Sequence, residues 1–258
     1  MAKRTPSNPA FYIHTSGTGV LAWETVEKNA WGTELPKVYN DWDGIKEVTS
    51  IPDSAIHRNV DKIVLRMSSP DPQAIKTAVV CPPCIYAPGR GPDNQRSLQV
   101  YEATKAVLKR KEAFLPIKGE NVWYEVNVHD LSDLYVLLGE AAAAGGGNAT
   151  WNEEGYYFAE NGSFVWKDIF QDIAKIAKKK GLIDSEETPI LSAEELTELH
   201  PFAVYLWTSN SRGKAIRSRK LLGWEPHGES LKENIPNIVD EEAKALGLIQ
   251  GHAAKVTQ

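Results

Sequence analysis

The sequence predicts an α/β fold in which a parallel sheet leads into an α-rich C-terminal part, and three stretches predict it. The run Lys76-Thr77-Ala78-Val79-Val80-Cys81 is long enough for one buried strand and too short for a helix. It meets Pro82, Pro83, Pro88 and Pro92, with Gly89 and Gly91 between them. Prolines cannot donate to a sheet ladder, so the strand stops near Pro82 and a rigid, turn-rich loop follows. A second short apolar run, Ala10 to His14, ends in Thr15-Ser16-Gly17-Thr18-Gly19, again a strand running into small, polar, flexible residues. Between the two, Ile56, Val60, Ile63, Val64 and Met67 recur at helical spacing. Strand, helix, strand is a βαβ unit, whose strands are parallel. In open α/β sheets ligands sit at the carboxyl ends of such strands.

The elements follow in order. After the first strand, Val20 to Asp43 reads as irregular and rich in Trp23, Trp31, Tyr39 and Trp42, which pack a long loop or cover a cleft. The first helix spans Ser54 to Met67, capped by Ser54 or Asp53 and stopped by Pro70 and Pro72. Beyond the proline loop, Asn94 to Glu112 reads as a helix and Val122 to Val128 as a strand. Asp130 then caps a helix from Leu131 to Ala144, which ends at Gly145-Gly146-Gly147. Tyr156 to Phe158 is a short strand, and Val165 to Lys180 an amphipathic helix closed by Gly181. Ser192 with Glu195 forms a capping box. Two more helices are expected, Ser211 to Leu222 and Ser230 to Leu246, the latter kinked or split at Pro236. The tail after Gly247 reads as loose.

A chain of 258 residues has room for one large or two small domains, and 42% hydrophobic with 24% charged residues is ordinary for a soluble globular protein. A net charge of -5 argues against nucleic acid as the main partner. The basic groups Lys178-Lys179-Lys180 and Arg212 to Lys220 read as solvated helix faces, with Arg212 and Arg217 at the surface. No apolar core follows the basic first residues, so no secretory signal is expected. The most apolar helix carries Glu140 and is too short to span a membrane. Two cysteines, Cys81 and Cys84, suit a reducing compartment such as the cytoplasm. Their CxxC spacing lacks a second ligand pair or a helix N-terminus, so they read as buried thiols, with no metal site expected. Asn148-Ala149-Thr150 and Asn161-Gly162-Ser163 match the glycosylation pattern, which is common by chance.

Four segments together resemble the extended short-chain dehydrogenase/reductase family, the NAD-dependent epimerase/dehydratase group. Phe11-Tyr12-Ile13-His14-Thr15-Ser16-Gly17 resembles the strand ending in the family's catalytic Ser/Thr. Residues Pro82 to Gly91 resemble its "RP…YGPG" loop. Val128-His129-Asp130-Leu131-Ser132-Asp133 resembles its "VHVDDLA" turn, and Arg219 to Pro226 its "LGWxP" signature. The likeness runs from Phe11 to about Leu248 and is greatest to the atypical branch common in fungi. It implies the later strands of a Rossmann-like parallel sheet (a partial sheet) with an α-rich substrate-binding lobe. It divides the chain into residues 1–92 as the nucleotide-domain part, 93–248 as mostly substrate lobe with some strands rejoining the sheet, and 249–258 as tail.

Two departures accompany the likeness. The family opens with a strand and a GxxGxxG turn, whereas this sequence starts at the family's middle, as a truncated version would. That turn lets pyrophosphate approach backbone amides at a helix N-terminus. Neither Gly17-Thr18-Gly19 nor Gly89-Arg90-Gly91 has the spacing to replace it. The family's helix also carries YxxxK, where this chain has His57 in the Tyr position and Asp61 in the Lys position. At i and i+4 the two share a helix face, and a carboxylate beside an imidazole favours imidazolium. Lys62 lies about 100° further round and cannot replace the lysine.

The resemblance therefore implies an NAD(P)-dependent oxidoreductase or epimerase/dehydratase acting on a small carbonyl or hydroxyl compound. Ser16 would polarise the substrate and His57, paired with Asp61, would act as acid and base. Pro83, Ile85 and Tyr86 would line the nicotinamide end of NAD or NADP. Thr15 would touch substrate, and Arg90 would clamp an anionic group on it. The plain readings are a turn-forming Ser16, a surface His57–Asp61 ion pair and an exposed loop arginine. The alternative function is a catalytically inactive remnant or a binding module without cofactor, with a bare sheet edge that favours homodimers or edge-strand association.

Overall fold

The computed structural model describes residues 4–249. β1 (Ala10–Thr15) runs through a short 3-10 turn, Thr18–Ala22, into α1 (Trp23–Lys28). The stretch expected to be irregular also holds β2 (Tyr39–Asn40), and α2 (Ile45–Val48) follows it. Next come α3 (Arg58–Arg66), β3 (Ile75–Cys81) and β4 (Cys84–Tyr86), the last lying inside the proline loop. α4 (Gln99–Arg110), β5 (Leu115–Pro116), β6 (Val122–Asn127) and α5 (Val128–Ala143) follow. Then come β7 (Tyr156–Phe158), β8 (Ser163–Val165), α6 (Trp166–Lys179) and β9 (Ile190–Leu191). The chain continues through α7 (Ala193–Leu199), α8 (Ala203–Thr208), β10 (Gly213–Lys214), α9 (Arg217–Leu222) and α10 (Leu231–Ala245).

The main sheet has the order β1-β3-β7, all parallel. β3 lies in its centre, with Ala10 opposite Ile75 on one side and Val79 opposite Tyr156 on the other. Central parallel strands are covered on both faces, and Thr77 to Cys81 are accordingly all buried. β1 pairs with no second strand among the described residues, and its Tyr12 is exposed. A smaller sheet, β4-β6-β8, joins β4 to β6 in parallel and β6 to β8 antiparallel. Two cores result. One packs Val79, Val80, Tyr157, Phe158, Leu134, Leu138 and Trp224 around the main sheet. The other joins α4, α6 and α10 around Phe114, Trp166, Phe170 and Trp207. The α/β class with a partial Rossmann-like parallel sheet is the observed one. The strands and helices also follow their sequence signals closely: Pro82 ends β3, and the Ser192–Glu195 capping box is formed.

Several local expectations are corrected. The first helix begins at Arg58, not Ser54, because His57 takes a left-handed backbone (φ 66°) that a helix cannot absorb. Its Ile56, Val60 and Ile63 face outward, while Arg58 and Asp61 are buried. Arg58 can be buried because its guanidinium donates to the carbonyls of Ile51 and Thr49. α5 starts at Val128, capped by the Asn127 side chain accepting from the His129 amide. Asp130 is no cap: it is buried inside the helix and accepts from the amides of His227 and Gly228. That bond, with the Trp224 indole donating to the Asp130 carbonyl, ties the second motif to the C-terminal one. Ser211 to Lys214 pair as bridge and strand, so α9 is shorter than expected. α10 runs unbroken through Pro236. Arg217 is no surface residue: its side chain is 3% exposed and bonds Asp41, Thr150 and Glu154. Arg212 is half-buried, paired with Glu34. The expected loose tail lies, from residue 250 on, outside the described residues.

One strand residue of the smaller sheet makes stability depend on pH. Glu125 of β6 is 5% exposed and accepts only a 3.3 Å bond from the Leu231 amide through its carboxylate. Burial pushes its pKa from 4.5 up to about 7. The folded chain holds this proton more tightly than the unfolded one does. Stability is therefore whole below pH 4.5 and falls as the pH rises through 7, by about 3 kcal/mol. Glu125→Gln should remove that fall, so that at pH 8 the variant outlasts the parent in urea while near pH 4.5 the two coincide. A parent whose stability is flat between pH 5 and pH 8 would contradict it.

Candidate functional site

A cavity of about 350 Å³ opens at the carboxyl ends of β1 and β3. One wall is Gly17-Thr18-Gly19 after β1. Pro82, Pro83 and Ile85 after β3 make a second, Ile56 and His57 before α3 a third. Ser97, Leu98 and Gln99 at the start of α4, Trp123 of β6, and Phe202, Tyr205 and Leu206 at α8 close it from the helical side. The cavity thus lies where the two strand–loop signals converge, between the sheet and the helical core. Its size and mostly apolar lining suit a small molecule.

Most polar groups at its wall are already spent. The Tyr205 hydroxyl donates to the Gly19 carbonyl at 2.7 Å, the Trp123 indole to the Ser209 carbonyl, and the Gln99 amide to the Leu206 carbonyl. Two are not spent. The Thr18 hydroxyl is buried with no hydrogen-bond partner, which is rare in native interiors, and it lies behind the cavity surface rather than on it. His57 is exposed, lines the cavity, and its ring makes no hydrogen bond among the described residues. Its left-handed backbone is costly for a residue other than glycine, a kind of strain that concentrates at functional sites.

Behind this wall lies a buried polar cluster. Asp61 is 1% exposed, and burial pushes its pKa up, an effect that Ser16 and His14 partly offset. His14 Nε2 is 3.9 Å from Asp61 Oδ1. Ser16 Oγ turns toward Asp61 and Cys81 and, like Asp61 Oδ1, is buried without a well-formed hydrogen bond. The Tyr156 hydroxyl donates to Cys81 Sγ at 3.2 Å. Cys81 and Cys84 are free and buried, and burial pushes both thiols up, so neither is a nucleophile at neutral pH.

The sequence-derived residues therefore separate. His57, Pro83 and Ile85 line the cavity. Ser16 and Asp61 sit together behind it, and the partner of Asp61 is His14 rather than a His57 on the same helix face. The reason is the break at His57, which sends its side chain to solvent and cavity while Asp61 turns inward. Tyr86 is fully buried and donates to the Glu229 carbonyl at 2.6 Å, pinning the loop before α10 rather than lining the cavity. Thr15 bonds the Tyr135 hydroxyl, and Arg90 is exposed. Sequence reasoning missed Thr18, Trp123, Tyr205 and His14. Only His14 carried a signal, a titratable side chain two residues before the strand-end serine. Asp130, Asp133 and His227 offer ligand atoms within 4.8 Å of one another, but the Asp130 oxygens already accept from the His227 and Gly228 amides.

The family likeness implies NAD or NADP. The wall of Pro82, Pro83, Ile85 and His57 could face a flat ring. The phosphates fit no group of residues here. After β1 the Gly17-Thr18-Gly19 turn enters a five-residue 3-10 helix, and Gly89 and Gly91 lie in a loop ahead of α4. Among the described residues no strand passes through a glycine turn into a helix that could cradle a pyrophosphate.

No family model matches the chain. Its fold is similar to that of UDP-glucose 4-epimerase from Thermotoga maritima, solved with UDP-glucose: TM-score 0.57 and 19% identity over 92% of this chain and 64% of that one. It is similar as well to the PbgP3 protein of Burkholderia pseudomallei (TM-score 0.59, 12% identity, 93% and 65% covered). UDP-glucuronic acid 4-epimerase from Bacillus cereus, solved with UDP-glucuronic acid and NAD, gives a TM-score of 0.58 at 12% identity, with 91% and 62% covered. The chain spans less than two thirds of each of these structures. They define the class as a Rossmann-like α/β chain with the fold of the UDP-sugar epimerases. Closer in sequence is the oxidase ucsJ of Acremonium sp, 32% identical over 255 residues, 96% of this chain and 73% of that protein. The chain belongs to the same family as that oxidase. No helix among the described residues is long and apolar enough to cross a membrane.

Proposed function

We propose that the chain is an oxidoreductase of the extended short-chain type, acting on a small carbonyl or hydroxyl compound held in the cavity between the β1 and β3 loops. The observation that carries this reading is His57, a titratable side chain with unspent hydrogen-bonding capacity, held at the cavity wall in a strained backbone. Membership of an oxidase's family supports it. His57 donates or accepts the proton at the substrate oxygen, the role of the tyrosine in the family pattern. Ser16 and Asp61, with His14, stand one layer behind and set the charge that the β1 loop feels.

That no described residues cradle a pyrophosphate favours a second reading, a binding module that takes the same small molecule without cofactor. One experiment separates the two. Isothermal titration of NADH and of NADPH into the chain, at up to millimolar cofactor, should show saturable heat if the oxidoreductase reading is right. No heat with either rejects it for this polypeptide and leaves the binding module.

A further inference from the structure

The cavity has a neighbour. A second cavity of about 540 Å³ lies beside it, with α1 and the turn before α3 as its walls. The two share Ile56 and Tyr205, which therefore stand at the boundary between them. Tyr205 is held at this boundary by its bond to the Gly19 carbonyl. A Cβ on Gly19 would stand 3.5 Å from Ile56 and 3.9 Å from Tyr205, which shows how closely the β1 loop packs against the boundary.

The charges around the two cavities are as informative as their shape. Among the described residues lining them there is no Lys or Arg, and Glu27 is the one acidic side chain. Arg58, next to His57 in sequence, spends its guanidinium on the Ile51 and Thr49 carbonyls. Arg96, just before the α4 wall, is paired with Glu242 and Glu102. A diphosphate placed here would lose its hydration and gain no cation, a cost that excludes tight binding. His57, exposed at the wall of the first cavity with no hydrogen bond from its ring among the described residues, offers instead one hydrogen bond to an uncharged oxygen.

We propose that the natural ligand is an uncharged molecule with an elongated, largely apolar body. One carbonyl or hydroxyl group lies in the first cavity against His57, and the body passes Ile56 and Tyr205 into the second. This deepens the proposed function and rests on its choice of cavity. It also parts the chain from the nucleotide-sugar ligands with which its structural neighbours were solved.

The test uses the full chain without cofactor. The probe is 2-acetylnaphthalene, an uncharged two-ring ketone, titrated by ligand-observed NMR alongside UDP-glucose. The ketone should bind and UDP-glucose should not. Ser54→Trp, at an exposed wall of the second cavity, should weaken the ketone about tenfold or more with the thermal midpoint unchanged. Should that variant unfold, Val26→Trp on α1, 52% exposed at the other wall of that cavity, makes the same block. UDP-glucose binding as tightly as the ketone, or a folded tryptophan variant that binds the ketone like the parent, overturns the proposal. Because no cofactor is present, a failure of NADH and NADPH to bind leaves this result untouched. Loss of ketone binding with cofactor binding intact rejects this inference alone.

Discussion

Turnover of any carbonyl or alcohol that the chain converts should fall about 10²–10⁴-fold in His57→Asn, the range that a positioned proton donor contributes. Asparagine is the informative substitution because it tolerates the left-handed backbone of position 57 yet cannot exchange a proton near neutral pH. The side chain is exposed, so unfolding in urea should change by no more than about 0.5 kcal/mol. The loss should lie in kcat, since the proton moves only in the reaction, while binding of an apolar ketone changes little. Asp61→Asn should act differently. It keeps the buried shape but removes the charge that His14 faces at 3.9 Å, and it leaves His57 in place. A His57→Asn chain with undiminished kcat would end the assignment of the proton to this residue.

The largest loss of stability is expected from Asp41→Ala. Asp41 is fully buried beside β2. Its Oδ1 accepts from the Ile216 and Arg217 amides at 2.8 and 2.9 Å, and its Oδ2 from the Phe158 amide at 2.9 Å. Its carbonyl accepts from Arg217 Nε at 2.8 Å. Burial pushes the acid's pKa up, and the three amides with Arg217 pull it back. Alanine would leave three amides without their acceptor, while the Arg217 guanidinium keeps its bonds to the residue-41 carbonyl, Thr150 and Glu154. Each buried donor left unsatisfied costs about 1–3 kcal/mol, so the loss should be at least about 3 kcal/mol, which a urea titration reads as an early midpoint. The loss should be smaller in Asp41→Asn, whose one oxygen still accepts. A shift under about 1 kcal/mol for alanine would mean that β2, β7 and α9 are not held together by this carboxylate.

The two predictions differ in how far the sequence announced them. His57 could be found from the sequence, because it takes the tyrosine's place in the family's YxxxK pattern, with Asp61 in the lysine's. Its geometry could not be, since the helix stripe of Ile56, Val60 and Ile63 gives no sign that the backbone turns left-handed at His57. Arg217 sits in a run of basic residues that reads as a solvated face, and nothing local says that Asp41, far away in the chain, will meet it. Asp130 shows the same limit. An acidic residue ahead of an apolar run is a plausible cap, but Asn127 starts the helix and Asp130 reaches the chain at His227.

What the sequence determined by itself was set by interactions spanning a few residues. Apolar runs, prolines and glycines placed β1 and β3, made them parallel, and put a flexible polar loop after β1 and a rigid proline loop after β3. The Ser192–Glu195 box began a helix as written. Only the tertiary structure decided which residues meet. It brought Thr18, His57, Pro83, Trp123 and Tyr205 to one cavity and sent Ser16 and Asp61 behind it. It also turned Tyr86 into a buried pin. The physical reason is that a backbone's preference is local, while the burial of a polar side chain depends on partners that chain proximity does not supply.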